Sequence, residues 1–180
     1  MSAVDLVRGL ARNNAFSNRR LLAACARLTP EAFAAARTSF FPSILETANH
    51  ILEVDLYYLD ALREGGRGQA VFEAYRPFAD PAALAAAQAD TDAALVGFCD
   101  GLDDAGLSRE VATDRGEDGR VMERVDALLL HLFQHQIHHR GQIHAMLAGT
   151  DVPPPQLDEF FLRFDAGRRV GRGEGVGSRQ

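Results

Sequence analysis

The stretch VDALLLHLFQHQIHHRGQIHAML, residues 125–147, decides how this chain folds. It holds five of the six histidines and no proline, and its apolar residues recur every three or four positions, the period of a helix with one buried face. At about 100° per residue, His135 and His139 lie about 40° apart, on the arc that also carries Leu128, Leu132, Ile143 and Met146. Both therefore point toward whatever the helix packs on. His131 falls about 40° to the other side of His135, so helix geometry admits it as well. His138 and His144 turn away and read as surface or interface residues. Phe133 and Ile137 lie opposite the histidines, giving the helix a second apolar side for a partner subunit.

Working outward, Gly149 and the run Pro153-Pro154-Pro155 stop this fourth helix. A first helix is expected from about Ala3 to Leu28, closed by Thr29-Pro30. After a loop to Phe41, Pro42 precedes a second helix from Ser43 to Arg63, which Gly65-Gly66 ends. The long connection from Gly66 to Phe78 carries Phe72, Tyr75 and Phe78, so it is expected to pack across the other helices. Asp80-Pro81 opens a third, alanine-rich helix to about Asp100. Between Leu107 and Arg124, two short alternating segments flank Gly-Glu-Asp-Gly and read as a small hairpin. A short helical piece is expected over Gln156 to Phe164. The tail from Asp165 has too little apolar surface to offset chain entropy and reads as disordered. The expectation is an all-α chain: a four-helix bundle over residues 1–164, with a hairpin between helices three and four, and a tail over 165–180.

Composition narrows the function. The net charge of −6 argues against a nucleic-acid binder, which needs a basic face to displace counterions. No apolar run reaches the roughly 18 residues of a membrane helix, and the N-terminus lacks a secretory pattern, so a cytoplasmic protein without a membrane partner is expected. Cys25 and Cys99 fall within expected helices without CxxC spacing and read as buried, reduced thiols.

The chemistry lies with the histidines. Two imidazoles one helical turn apart can share one metal ion, but two protein ligands hold an ion weakly, and a third should come from another helix. His50 is the candidate, on a stripe of the second helix with Thr47, Val54, Tyr57 and Ala61. A single inward histidine is most simply a core residue with its hydrogen bonds satisfied. Three of them, two at ligand spacing, favour a metal. Three neutral imidazoles leave a dication's charge unneutralised and a coordination position open, as catalytic sites do. Zinc, nickel, iron and manganese all suit such ligands. Glu46 and Glu53, about one turn from His50, are candidate proton acceptors, although carboxylates at a helix edge are usually solvated. Tyr57 is a candidate pocket residue whose simpler role is core packing. Gln142, on the inward arc, is a candidate to orient a ligand, and Arg140 reads as a structural residue outside the pocket, paired with an acidic neighbour.

These residues resemble a known family, the DinB-like (DinB/YfiT-like) metal-binding proteins. The resemblance rests on HQIHHRGQ at 135–142, NHILEVDLYYLDAL at 49–62, PPPQLDEFFL at 153–162 and NNAFSNRRL at 13–21, with Phe16 where the family often has tryptophan. It implies a four-helix bundle, usually a homodimer, with a divalent metal on His50, His135 and His139. It also implies kinship with thiol-dependent S-transferases and with an isomerase that uses a low-molecular-weight thiol. Three functions follow as expectations: a metal-dependent enzyme activating a thiol or water for transfer, a metal-dependent hydrolase, or a non-catalytic dimeric bundle with a structural metal or a protein-binding role. Nothing in the sequence resembles a DNA polymerase.

Overall fold

The computed structural model describes residues 1–158. Four long helices form the bundle: α1 (Ala3–Cys25), α3 (Ile44–Leu62), α5 (Pro81–Asp100) and α7 (Val125–Leu147). Three short ones sit in the connections: α2 (Pro30–Ala34), α4 (Ala70–Ala74) and α6 (Asp104–Ser108). Around the bundle, α1 packs on α5 and α7, and α3 packs on α7 and α5. Among the described residues no helix is long and apolar enough to cross a membrane.

The ends of these helices follow from local chemistry. Ser2 and Asp5 form a reciprocal capping box on α1. Ser43 Oγ accepts from the Glu46 amide at 3.1 Å and caps α3. Asp80 accepts from the amides of Ala82 and Ala83, with Pro81 in the first turn of α5. Helix α1 ends at Cys25, short of the expected Leu28, because Thr29 caps a new turn, α2, inside what the sequence presents as loop. The expected helical piece at Gln156 begins without helix over 156–158, and its remainder, like the tail from Asp165, lies outside the described residues.

The hairpin pairs β1 (Glu110–Asp114) with β2 (Arg120–Arg124), antiparallel, from Glu110 opposite Arg124 to Asp114 opposite Arg120. Its turn is one 3-10 turn, Gly116–Asp118, and requires glycine at both ends: φ is 65° at Gly116 and 74° at Gly119. The long connection does pack across the bundle. Asn49 on α3 fastens it, with Oδ1 accepting from the Tyr75 hydroxyl and the Phe78 amide, each at 2.7 Å, while Nδ2 donates to the Phe78 carbonyl at 2.9 Å.

The apolar interior is in two parts. One gathers Ala11, Val54, Tyr58, Leu95, Leu129 and Leu132; the other gathers Leu21, Phe33, Ile51, Leu84, Ile143 and Leu147. Between them runs a belt of buried polar side chains from all four long helices: Asn14 and Asn18 on α1, Asp55 on α3, Gln88 and Asp92 on α5, and Gln136 and Arg140 on α7. Helical phase alone places Phe133 on a partner-facing side. The structure overturns this, because Phe133 is only 3% exposed and belongs to the first core, while Ile137 stays 57% exposed. Because both α1 and α3 pack on α7, the helix buries a broad arc through Leu129, Gln136 and Arg140; Phe133 falls at its inner edge and Ile137, about 40° farther round, lies outside it.

Candidate metal centre

Helix α7 carries His135 and His139 one turn apart on the side that meets α3, and α3 brings His50 opposite them. His50 Nε2 lies 3.0 Å from His135 Nε2. One nitrogen from each of His50, His135 and His139 falls within 4.8 Å of the other two. A tetrahedral ion with bonds of about 2.0–2.1 Å to imidazole spaces its nitrogens about 3.3 Å apart, a value inside this range. The donor set therefore fits a divalent cation of the imidazole-binding class.

The tautomer of His139 is decided by its neighbour. Its Nδ1 lies 2.7 Å from Gln142 Oε1, an oxygen that can only accept, so Nδ1 carries the proton and Nε2 keeps its lone pair for a ligand. In the same orientation of the amide, the Gln142 nitrogen lies 3.2 Å from His138 Nε2 and donates to it when that nitrogen is unprotonated. His135 differs: its Nδ1 is buried and has no hydrogen-bond partner.

All three rings favour the neutral form a ligand needs. Burial, with His139 nearby, pushes His50 down to about 4. Burial together with the surrounding histidines, His139 foremost, takes His135 down to about 3. His139 is lowered by burial too, opposed by its bond to Gln142.

Phe41 packs against this group, whereas in the sequence it marks only a loop's end. Its ring packs 4.4 Å from that of His50 and 5.6 Å from that of His139, covering both. A loop aromatic beside a helix cap carries no periodic signal, so nothing short of the tertiary structure locates it. Clefts flank the cluster. One, of about 500 Å³, is lined by Arg37, Phe40, Gln142 and Met146. The other, of about 320 Å³, is lined by Tyr57, Tyr58, Phe72, Arg115, His131 and His135.

The remaining candidates disperse. His131 lies outside the three-histidine group, 6.1 Å from His135 between ring centres and 5.2 Å from Tyr58. Tyr57 is buried, stacks on Phe72 at 4.8 Å and donates its hydroxyl to the Asp114 carbonyl, so it walls the second cleft with its polar end already satisfied. Glu46 is exposed and engaged at the α3 cap with Ser43. Glu53 is half-buried, and its charge is felt at Tyr75. His138 is exposed, with its ring against His139, and His144 Nε2 reaches the Pro155 carbonyl at 3.0 Å.

Arg140 does lie outside the pocket, but its direct partners are amides. It donates to Asn14 and Asn18 oxygens and, at 3.1 Å, to Gln136 Oε1. The two asparagines relay this to a carboxylate, since their nitrogens donate to Asp92 at 3.1 Å and 3.0 Å.

Comparison with known proteins agrees with this architecture. No curated protein matches the sequence. The fold is similar to the crystal structure of a DinB-like protein from Bacillus subtilis, with a TM-score of 0.58 and 18% identity over 82% of this chain and 96% of that one. The sequence matches the DinB family over residues 1–170, nearly its whole length, and the chain belongs to the DinB family.

Proposed function

We propose that His50, His135 and His139 hold one divalent metal ion and that the protein is a metal-dependent enzyme which activates a thiol or water for transfer to a small electrophile. The observation that carries this reading is the convergence of three neutral-favouring imidazoles, from two helices, within 4.8 Å. A bound dication with an open position lowers the pKa of water or a thiol toward neutrality.

The chain's own residues supply the rest. Gln142 holds His139 in the tautomer that keeps Nε2 free. Phe41 covers the His50 and His139 rings and excludes water from that side. The cleft on the His135 side has aromatic walls, and Arg115 enters it with its charge balanced by Glu123 at 2.7 Å. That lining suits a small, partly apolar electrophile. A low-molecular-weight thiol is the proposed cosubstrate, and zinc, nickel, iron or manganese the metal. We further propose a homodimer in the cytoplasm, with exposed Leu130 and Ile137 on α7 at the subunit contact.

The test is metal stoichiometry of the purified protein, repeated for His135→Ala and His139→Ala, then small thiols screened against electrophiles with and without chelator. About one ion per chain, lost in both variants, and a chelator-sensitive rate are expected. Unchanged metal content in both variants would remove the site, and a chelator-insensitive rate would remove the mechanism.

A further inference from the structure

The polar belt at the centre of the bundle leaves two acceptors over. Asp55 Oδ2 accepts from Gln88 Nε2 at 2.7 Å and from Gln136 Nε2. Asp55 Oδ1 receives nothing, and neither does Gln88 Oε1, although the two residues are only 2% and 1% exposed and both atoms are sealed from solvent. Buried acceptors without donors are costly, so their coincidence calls for a physical account.

The two orphaned atoms belong to groups already joined by one bond. The amide nitrogen of Gln88 donates to one carboxyl oxygen of Asp55, leaving the amide carbonyl and the other carboxyl oxygen as the open half of the same pair. A carboxylic acid and a primary amide close such a pair with two bonds: the amide N–H donates to the acid's carbonyl and the acid's O–H donates to the amide's carbonyl. A single proton satisfies both orphans.

Charge points the same way. The ionisable groups facing Asp55 are Asp92 from α5 and Arg140 from α7, while α1 contributes the neutral amides of Asn14 and Asn18. With both carboxylates ionised the belt carries one unbalanced negative charge away from water, which is strongly disfavoured. Burial raises Asp92 to about 6, but donors on both its oxygens, from Asn14, Asn18 and Gln88, oppose that rise and leave it charged at neutral pH. Asp55 has the bare oxygen.

We propose that the centre of the bundle is a proton-binding site, in which Asp55 is a neutral carboxylic acid at neutral pH and its Oδ1–H donates to Gln88 Oε1. Burial, reinforced by Asp92 and opposed by Gln88, Gln136 and Arg140, already pushes Asp55 up to about 7. Donation from the protonated form raises it further. The belt is then neutral, with Arg140 balancing Asp92 through the two asparagines. Gln136, beside His135 in the chain, is anchored by an uncharged hub.

The experiment compares Asp55→Asn and Asp55→Ala with the unmodified protein, all chelator-treated, by denaturant unfolding from pH 5 to 8.5. Asparagine reproduces the protonated acid: its oxygen accepts from Gln88 and Gln136, and its nitrogen donates to Gln88 Oε1. The sign follows from a folded pKa above the ordinary carboxylate value. Stability from the Asp55 proton is full below the unfolded pKa and is lost as pH rises through the folded one.

Relative to the unmodified protein, Asp55→Asn should gain up to about tenfold in its folded-to-unfolded ratio per pH unit until the folded pKa is passed, then level off. Histidine contributions are common to both and cancel. Asp55→Ala should be destabilised across the whole range. A pH-independent difference, or an asparagine variant as unstable as the alanine one, would overturn the proposal. As an independent check on the unmodified protein, infrared spectra at pH 7, above the value of about 6 to which burial raises Asp92, with carbon-13-labelled aspartate should show the carbonyl stretch of a protonated carboxyl group that Asp55→Asn lacks. Its absence, or its persistence in the variant, would also overturn the proposal.

Discussion

The Nε2 atoms of His50 and His135, on different helices and 85 positions apart in the chain, lie 3.0 Å from each other. Two neutral imidazoles can approach this closely only if one donates a proton to the other or both lone pairs serve a common cation. With His139 completing the group, the second arrangement uses all three rings alike.

The third ligand distinguishes His50 from His131. His50→Ala should reduce bound metal to less than about a tenth of an equivalent after dialysis, since two histidines hold an ion weakly. His131→Ala should leave the content unchanged. Elemental analysis of both variants decides the matter, and the opposite pattern would mean that the ligand set is wrong.

At the proposed site, Gln142 would act on a bound ion only through His139. Gln142→Leu removes the acceptor that orients the ring, and metal affinity should fall about 10–100-fold, the usual cost of losing such a partner. Competition against a chromophoric chelator measures this. Helical content by circular dichroism should stay as it was, because Gln142 is only half-buried and its bonds run within α7.

Arg140 is 5% exposed and supplies the one positive charge among the belt's ionisable groups. Burial lowers it to about 10, Asp55 and Asp92 opposing, so it stays charged at neutral pH. Arg140→Ala leaves Asp92 charged and uncompensated, and the expected loss is about 3–5 kcal/mol of unfolding free energy. Urea unfolding gives the value. A loss below about 1 kcal/mol, the scale of an exposed ion pair, would mean that water reaches the belt.

Cys25 and Cys99 are both fully buried, and burial pushes each thiol up to about 12. At pH 8 the thiolate is then about one part in ten thousand, and the thiolate is the reactive form. Native protein should resist iodoacetamide at both positions and react at both in denaturant. Rapid native labelling of either, read by mass spectrometry, would contradict its burial.

Much of the bundle was legible because apolar spacing and end signals agree along each long helix. Ser43 and Asp80 sit where caps belong, Gly116 and Gly119 where the hairpin turn needs positive φ, and the four long helices follow those marks. The short turns α2, α4 and α6 carry no legible signal, since five residues hold less than two full periods of a helix. The belt is hidden for another reason. Asn14 and Asn18, Gln88 and Asp92, and Gln136 and Arg140 are each four apart, so each pair shares one helix face, and polar residues in such pairs usually face solvent. Only burial reveals that all three pairs turn toward Asp55.

The sequence by itself determined where the long helices run and that His135 and His139 share one face of α7, with His131 at its edge, because both depend only on the angle between successive residues of one helix. Distances between helices have no such local origin. The approach of His50 to His135, the cover that Phe41 gives, the removal of Phe133 into the core and the meeting of Asp55 with Gln88 were decided by how the helices pack. Packing is set by the summed fit of many side chains, and no single stretch of the chain carries it.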